Sequence, residues 1–437
     1  MTTVRPLLEF LTPLVVSNCV ISISEHILNV GIVVSADRTV GTTVLVAFGL
    51  ANYIMKLVSF PLGPSKCLGT NVGGVNSIWF VCSVGLLCGV ILILLGTLSI
   101  GNFLFGQDGE VVKNARLATI CLALVPLLSG VANSISGILL RRRRSLLVAA
   151  SSLLETVAHF IVIGVVMLHS RYPQLRPVPP LAVPLLAIYT GVLTRLAVVV
   201  VGIVWSSPPT SKHDDYVVEG RRRYATFSDM AQFSWPFAVN ELGSRSARPL
   251  VNWVISQAGE TSELAALMLV YPLASLGYGW LMETKQLPAS FARDSRVTSR
   301  DICVSCVSCG LFSLAMMHGL AWTAAQTWLL VAVVGASPEV AQHARPALQI
   351  LSLLPLPVTV RAFYYGWASF YKRTKPLAPA AFMKSLALLA SLVMFSDCGM
   401  QGAVLGSASL LCAFVVESAT IVGMCSWWEL HTEWEDK

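Results

Sequence analysis

The stretch FGQDGEVVKNARLATICLALVPLL, residues 105–128, returns in altered form as VGASPEVAQHARPALQILSLLPLP, residues 334–357. At one constant offset Gly106 falls on Gly335, Glu110 on Glu339, Ala115 and Arg116 on Ala344 and Arg345, and Pro126 and Leu127 on Pro355 and Leu356. The same offset carries Gly137 onto Gly366 and Arg144 onto Arg373. Small shifts extend the match to both ends, pairing Phe10 and Pro13 with Phe233 and Pro236, and Trp205 with Trp427. Coincidences in one unbroken order mark an internal duplication, and the period of a duplication decides the architecture.

Both copies are built for lipid. Of 437 residues 55% are hydrophobic and 12% charged, against roughly 25% charged in soluble domains. Too few charges are present to solvate a soluble surface, which excludes a soluble enzyme, a nucleic-acid binder and a disordered scaffold. The formal charge of +7 fits basic loops at a membrane face. Eleven cysteines are an odd number scattered through apolar runs, so no secreted disulfide framework is implied. Cys303, Cys306 and Cys309 share an iron–sulfur-like spacing but sit around VSCVSCGLFSLAM with no fourth ligand, and read as small helix residues. No metal and no cofactor are expected.

Apolar runs of about 20 residues each suffice to span a bilayer as helices. They predict about twelve such helices: 7–35, 43–62, 75–100, 115–139, 145–169, 180–206, 231–257, 263–284, 302–324, 343–369, 378–396 and 402–428. Residues 324–342 read as a short amphipathic or re-entrant cap on the ninth. Runs such as LLCGVILILLGTL lack the dyad alternation of a barrel strand. The first apolar stretch is too long for a signal peptide and carries Glu25, so it reads as a spanning helix; the closing HTEWEDK holds no lipidation motif. With a cytosolic N-terminus, Arg141 to Arg144, Arg221 to Arg223, Arg293, Arg296, Arg300, Lys372, Arg373 and Lys375 fall inside. That gives an about threefold basic bias for that side.

The expected fold is therefore an all-α membrane protein of two six-helix lobes. Residues 1–206 form the N-lobe, 207–230 a cytosolic linker, 231–428 the C-lobe and 429–437 a short cytosolic tail. Six is even, so both lobes insert the same way and the repeat is parallel. Repeats of that kind place a substrate near the midplane between the lobes.

A charge at the bilayer centre costs about 2.5–3.5 kcal/mol on insertion scales, which makes each one a functional candidate. Asn18, Ser22, Glu25 and Asn29 follow the spacing i, i+4, i+7, i+11 of one helical face, and Glu241, Arg245, Arg248 and Asn252 repeat it in the other half. Two equivalent polar stripes are what a central cavity needs; a packed polar seam between helices is the competing reading. Lys56 and Arg361 have no counterpart in the other half, and Arg361 follows the proline-rich LPLPVTV well inside its span. Both are candidate cavity bases, with snorkelling as the alternative for each. Glu283, two residues from Lys285, reads as a gate or anchor; His26 and His159 read as packing histidines rather than proton relays.

Other buried charges look structural. Glu155 falls on Lys384 and Arg195 on Glu417, so each lobe holds one acid and one base on its fifth and sixth helices, with signs exchanged. Intralobe pairs, Glu155 with Arg195 and Lys384 with Glu417, are the simplest expectation. Among candidate cavity groups the bases Lys56, Arg245, Arg248 and Arg361 outnumber the acids Glu25 and Glu241, which favours an anionic substrate, because an arginine fork suits phosphate and carboxylate. Glu25 is then a coupling group or a partner of Arg248, and Glu241 belongs to the same coupling or gating set.

These residues lie in blocks that resemble the progressive ankylosis protein family: EFLTPLVVSN and SEHILNVGI, GLANYIMKLVSFPLGP, QFSWPFAVNELGSRSARPLVNW, YPLASLGYGWLMETKQLPASF, LPLPVTVRAFYYGWASFYKRTKPLAP and GAVLGSASLLCAFVVESATIVG. Lys56, Glu25, Arg245, Arg248, Glu283, Arg361 and Glu417 fall inside them. The resemblance implies a plasma-membrane exporter that raises extracellular pyrophosphate and restrains mineral deposition. Its cargo would be pyrophosphate, ATP and other nucleoside triphosphates, or citrate. It also implies kinship with the two-lobed, twelve-helix multidrug and lipid exporters. Asn240 and Glu241 stand where the family is expected to be apolar, Val30 where it is expected to carry Arg, and the family's acidic tail is nearly absent.

A cation-coupled drug antiporter of the same architecture, using Glu25 and Glu241, is the rival within transport; a receptor without transport is a second. A membrane enzyme finds no H-E-x-x-H motif, no paired carboxylates in a large loop and no loop long enough for a catalytic domain. No Walker A sequence is present, so ATP would be cargo rather than fuel. The partners expected are the lipid bilayer and a small anion, not nucleic acid.

Overall fold

Proline sets the breaks in this chain. In the computed structural model the described residues are 4–34, 38–98, 109–170, 179–205, 226–257, 261–292, 294–333 and 337–435, and their regular structure is helical throughout. The first half runs α1 (Val4–Val34), α2 (Arg38–Val58), α3 (Ser65–Asn71), α4 (Gly74–Thr97), α5 (Glu110–Cys121), α6 (Val125–Arg141), α7 (Ser145–Ser170) and α8 (Ala182–Trp205). The second runs α9 (Phe227–Gln257), α10 (Thr261–Tyr278), α11 (Leu287–Phe291), α12 (Ser299–Trp322), α13 (Pro338–Leu351), α14 (Pro355–Phe370), α15 (Leu377–Asp397) and α16 (Gly402–Glu435). Helix for helix, the order is the same.

The correspondence reaches the interruptions. Pro126 and Pro355, matched in the duplication, each stand in the first turn of the second member of a helix pair, α5–α6 and α13–α14. A proline has no N–H to give the preceding turn, so it ends one helix while its fixed φ starts the next. Ser337 caps α13, its hydroxyl accepting the Val340 N–H at 3.3 Å. Glu110 and Glu339 place a carboxylate in the first turn of α5 and α13, where the helix dipole favours it. Likewise α2 passes through the tight turn Phe60–Leu62 into α3, as α10 passes through Gly279–Gln286 into α11.

Among the described residues eight helices are long and apolar enough to cross a membrane, and two bent pairs raise that to ten: Val46–Val58 with Phe60–Asn71, bent by 56°, and α13 with α14, bent by 43°. Each of the twelve segments read as spanning coincides with a helix or a broken pair. The other two are α1, whose side chains beyond residue 20 lie outside the described residues, and α9, which carries Glu241, Arg245 and Arg248 along its middle. The expected cap at 324–342 divides: Ala325–Thr327 and Trp328–Val333 form short turns, whereas residues from 338 onward belong to α13.

Residues 12–234 form one compact unit, and residues 1–11 with 235–437 form another. Within the first, α7 lies along α8 and α3 against α6; within the second, α15 lies along α16, and α14 against Gly279–Gln286. Two matched glycines permit the α3–α6 contact and its counterpart. A Cβ on Gly137 would meet the Lys66 carbonyl oxygen, and one on Gly366 would sit 2.8 Å from the Lys285 carbonyl oxygen. Backbones this close admit only a hydrogen at that position. At the far end of the second unit Glu263 of α10 accepts the Ala403 N–H of α16 at 2.7 Å and meets His343 Nδ1 of α13 at 2.5 Å, tying three helices by one carboxylate. Exposed faces are apolar, as with Leu86, Leu87, Val90 and Leu94 of α4 and Val307, Leu311 and Phe312 of α12. That is the surface a bilayer solvates.

Candidate functional site

Glu417 of α16 is fully buried, at 0% exposure. A lone carboxylate in such a place is costly unless its charge is matched and its oxygens are hydrogen-bonded. Three other helices supply what it needs. Arg361 of α14 brings Nε to 3.2 Å from Oε1, and Lys384 of α15 brings Nζ to 3.1 Å from Oε2. Asn240 of α9 donates Nδ2 to Oε1 at 2.7 Å, and the Tyr365 hydroxyl of α14 donates to the same oxygen at 3.1 Å.

The two cations are anchored in turn. Arg361 Nη2 donates to Asn240 Oδ1 at 3.0 Å, so one carboxamide holds both the arginine and the glutamate. Lys384 Nζ donates to Ser244 Oγ at 3.1 Å, one turn beyond Asn240 on α9. Phe414, three residues before Glu417, lies beneath both, 4.0 Å from Lys384 Nζ and 5.5 Å from the Arg361 guanidinium. Arg361 also stacks at 5.1 Å over the ring of Tyr365, its neighbour one turn on. Arg361 is 7% exposed and Lys384 2%, so this is a fully enclosed cluster with two bases for one acid.

The first unit carries the simpler version. Arg195 of α8 lies 3.6 Å from Glu155 of α7, and its Nη2 donates to Asn133 Oδ1 of α6 at 2.6 Å. The charged positions match those of Lys384 and Glu417, with signs exchanged. No base corresponding to Arg361 joins them, because the position matched to Arg361 is Ala132.

Glu241 pairs with Arg245 on the same helix at 2.8 Å, and both are partly exposed. Arg248 is exposed, its guanidinium 5.5 Å from the centre of the Tyr271 ring. Asn252 is half-buried one turn beyond it. Lys56 lies half-buried in the last turn of α2, Glu283 half-buried in the turn before α11, and Asn18 half-buried in α1. The side chains of Glu25, His26, Asn29 and Val30 lie outside the described residues. Arg361, expected in a cavity, is thus brought to Glu417 instead, together with Lys384. Asn240, Ser244, Tyr365 and Phe414 are not marked out as site residues by charge or by repeat position. Two features of the sequence point to them: Asn240 is a carboxamide where the family is expected to be apolar, and Tyr365 stands four residues after Arg361, on its helical face.

The family model of the progressive ankylosis protein matches residues 1–323. The chain belongs to this family. Solved structures give the fold. A MOP superfamily transporter from Pyrococcus furiosus, described by a binding pocket of reverse polarity that suggests a different function, is similar at a TM-score of 0.65 and 14% identity, over 100% of this chain and 99% of its own. A Vibrio cholerae MATE transporter matches at 0.69 and 12%, over 100% and 98%. A eukaryotic MATE transporter matches at 0.64 and 14%, over 97% and 96%. At such identities the likeness is one of fold. This member of the progressive ankylosis protein family is accordingly a multipass membrane transporter with the two-lobed architecture of multidrug exporters, and its cargo has to be argued from its own residues.

Proposed function

We propose that this transporter exports multiply charged anions by alternating access: ATP and other nucleoside triphosphates, inorganic pyrophosphate, and citrate. It would do so across the plasma membrane, with both termini and the 207–230 linker in the cytosol, raising extracellular pyrophosphate and restraining mineralisation. The observation that carries the proposal is the charge of the enclosed cluster, Arg361 and Lys384 against the single carboxylate of Glu417. A buried positive excess is expensive in lipid and is retained where an anion is handled. A structure of similar fold is described by a binding pocket of reverse polarity that suggests a different function, so pocket polarity is not fixed by this architecture. The rival cation-coupled antiporter would use Glu25 and Glu241; Glu241 is engaged by Arg245 at 2.8 Å, and the surplus of bases among the candidate groups argues against a cationic cargo.

Export of an anion from an inside-negative cell is downhill by about 2.3 kcal/mol per charge per 100 mV, so uniport or exchange suffices without a pump. Glu25 and Glu283 are assigned coupling or gating roles, and Lys56, Arg245, Arg248, Asn18, Asn29 and Asn252 substrate contact. The test is to assay medium from expressing cells for ATP, pyrophosphate and citrate together, with conversion of ATP to pyrophosphate blocked. Pyrophosphate that rises despite the block crosses directly; pyrophosphate that rises only without it arrives as ATP. If none of the three rises while the protein stands at the surface, anion export is refuted.

A further inference from the structure

Every other base named on the helices around the buried cluster has an acid beside it. Arg245 has Glu241, Arg361 and Lys384 share Glu417, and in the first unit Arg195 has Glu155. Arg248 differs. Among the described residues it makes neither ion pair nor hydrogen bond, and its guanidinium rests on the face of Tyr271. Tyr271 is 4% exposed, yet among the described residues its hydroxyl has no hydrogen-bond partner, and the same holds for the buried Oδ1 of Asn252, one turn beyond Arg248. Buried hydroxyls and carboxamides are ordinarily paired, and one that is not is explained by a ligand, an ion or a water. Water would satisfy the tyrosine and the asparagine, but the exposed guanidinium of Arg248 on the Tyr271 ring adds a cationic donor to the same place, which favours an anion over water there.

The three groups share one chemistry. An arginine fork donates two parallel N–H bonds to an oxyanion, a phenol donates one O–H, and a carboxamide turned about its last bond presents N–H in place of oxygen. An uncompensated arginine repels a cationic ligand and offers nothing specific to an apolar one. We infer that Arg248, Tyr271 and Asn252 form an oxyanion subsite in the C-terminal unit that takes a phosphoryl or carboxylate group. Tyr271 is the hydroxyl donor that fixes the group's position, and the subsite is separate from the enclosed Glu417 cluster. The assignment of this group to the cargo rests on the anion-export proposal; the same oxyanion chemistry also fits the phosphate of an anionic lipid.

The test is direct binding to the purified full-length protein in detergent, read as thermal stabilisation over titrations of inorganic pyrophosphate, ATP and citrate, and separately of phosphatidic acid against phosphatidylcholine. Tyr271→Phe removes one oxygen and keeps the ring, and Arg248→Lys keeps the charge and removes the fork, so both leave the packing largely as it is. Loss of one hydrogen bond to a charged group predicts about tenfold weaker binding for each, with Gly164→Ala, whose added methyl meets nothing within 4 Å, binding as wild type. Unchanged affinity in both variants overturns the subsite while leaving export to the efflux assay. Wild-type protein that binds neither the soluble anions nor phosphatidic acid overturns it as well. If only the phosphatidic acid effect is lost in the variants, the subsite stands as a lipid-headgroup site and its role in cargo binding falls.

Discussion

Arg361 Nε lies 3.2 Å from Glu417 Oε1, and Lys384 reaches the other oxygen of the same carboxylate at 3.1 Å. One acid therefore serves two bases, and the three charges are unequal in consequence. Removing Glu417 leaves two buried cations facing each other. Removing Lys384 leaves a matched pair, Arg361 with Glu417.

Glu417→Gln should accordingly destabilise far more than Lys384→Met. Breaking a buried pair by taking one partner costs about 3–5 kcal/mol, and here two cations are stranded at once. The expected outcome is a sharp loss of monodisperse protein and a lower melting temperature for Glu417→Gln, with Lys384→Met much closer to wild type. Fluorescence-detected size exclusion with a melting curve reads both. Equal losses in the two variants would sink the two-for-one arrangement.

Glu155 and Arg195 occupy the duplicated positions of Lys384 and Glu417 with signs exchanged, 3.6 Å apart. The frame should therefore accept the opposite order. Glu155→Lys and Arg195→Glu are each expected to reduce folded protein, and the two together to recover most of it, by a coupling of the 0.5–3 kcal/mol order that residues in contact show. A double variant whose loss equals the sum of the two single losses would mean that the pair contributes nothing as a pair.

How far the sequence discloses this molecule depends on what sets each feature. Gly137 with Gly366 and Pro126 with Pro355 were visible as matches because backbone approach and helix breaks admit one residue type. The same residues prove to mark equivalent contacts and equivalent interruptions in the two halves. Charged positions such as Glu155, Arg195, Lys384 and Glu417 were visible because lipid makes a charge conspicuous. Their partners were not. Asn240, Ser244 and Tyr365 are ordinary polar residues on helices whose relative rotation no periodicity specifies, and Arg361 joins Glu417 across 56 positions of chain through that rotation alone.

Asn240 is a stringent case, since it stands where the family is expected to be apolar and yet donates to Glu417 at 2.7 Å and accepts from Arg361 at 3.0 Å. Asn240→Leu restores the apolar character and removes both bonds. Hydrogen bonds to charged groups contribute about 1.5–3 kcal/mol, so a loss of stability of at least that order is expected, with anion efflux per surface molecule falling alongside. A variant of wild-type stability and efflux would show that the cluster closes without the carboxamide.

Gly366→Ala tests whether close backbone contact holds α14 to the turn before α11. An added Cβ would sit 2.8 Å from the Lys285 carbonyl oxygen and 3.0 Å from the Pro288 side chain, so the two segments must move apart. Overpacking of this kind costs about 1–3 kcal/mol. The turn that must yield carries Glu283, the residue proposed above for coupling or gating, so an effect on transport beyond the loss of stability is expected. Gly164→Ala is the control, with open space at its Cβ. Efflux per surface molecule, measured at matched surface level, should fall for Gly366→Ala and not for Gly164→Ala. Normal efflux together with an unchanged melting temperature in Gly366→Ala would show that α14 and the turn are free to separate without consequence.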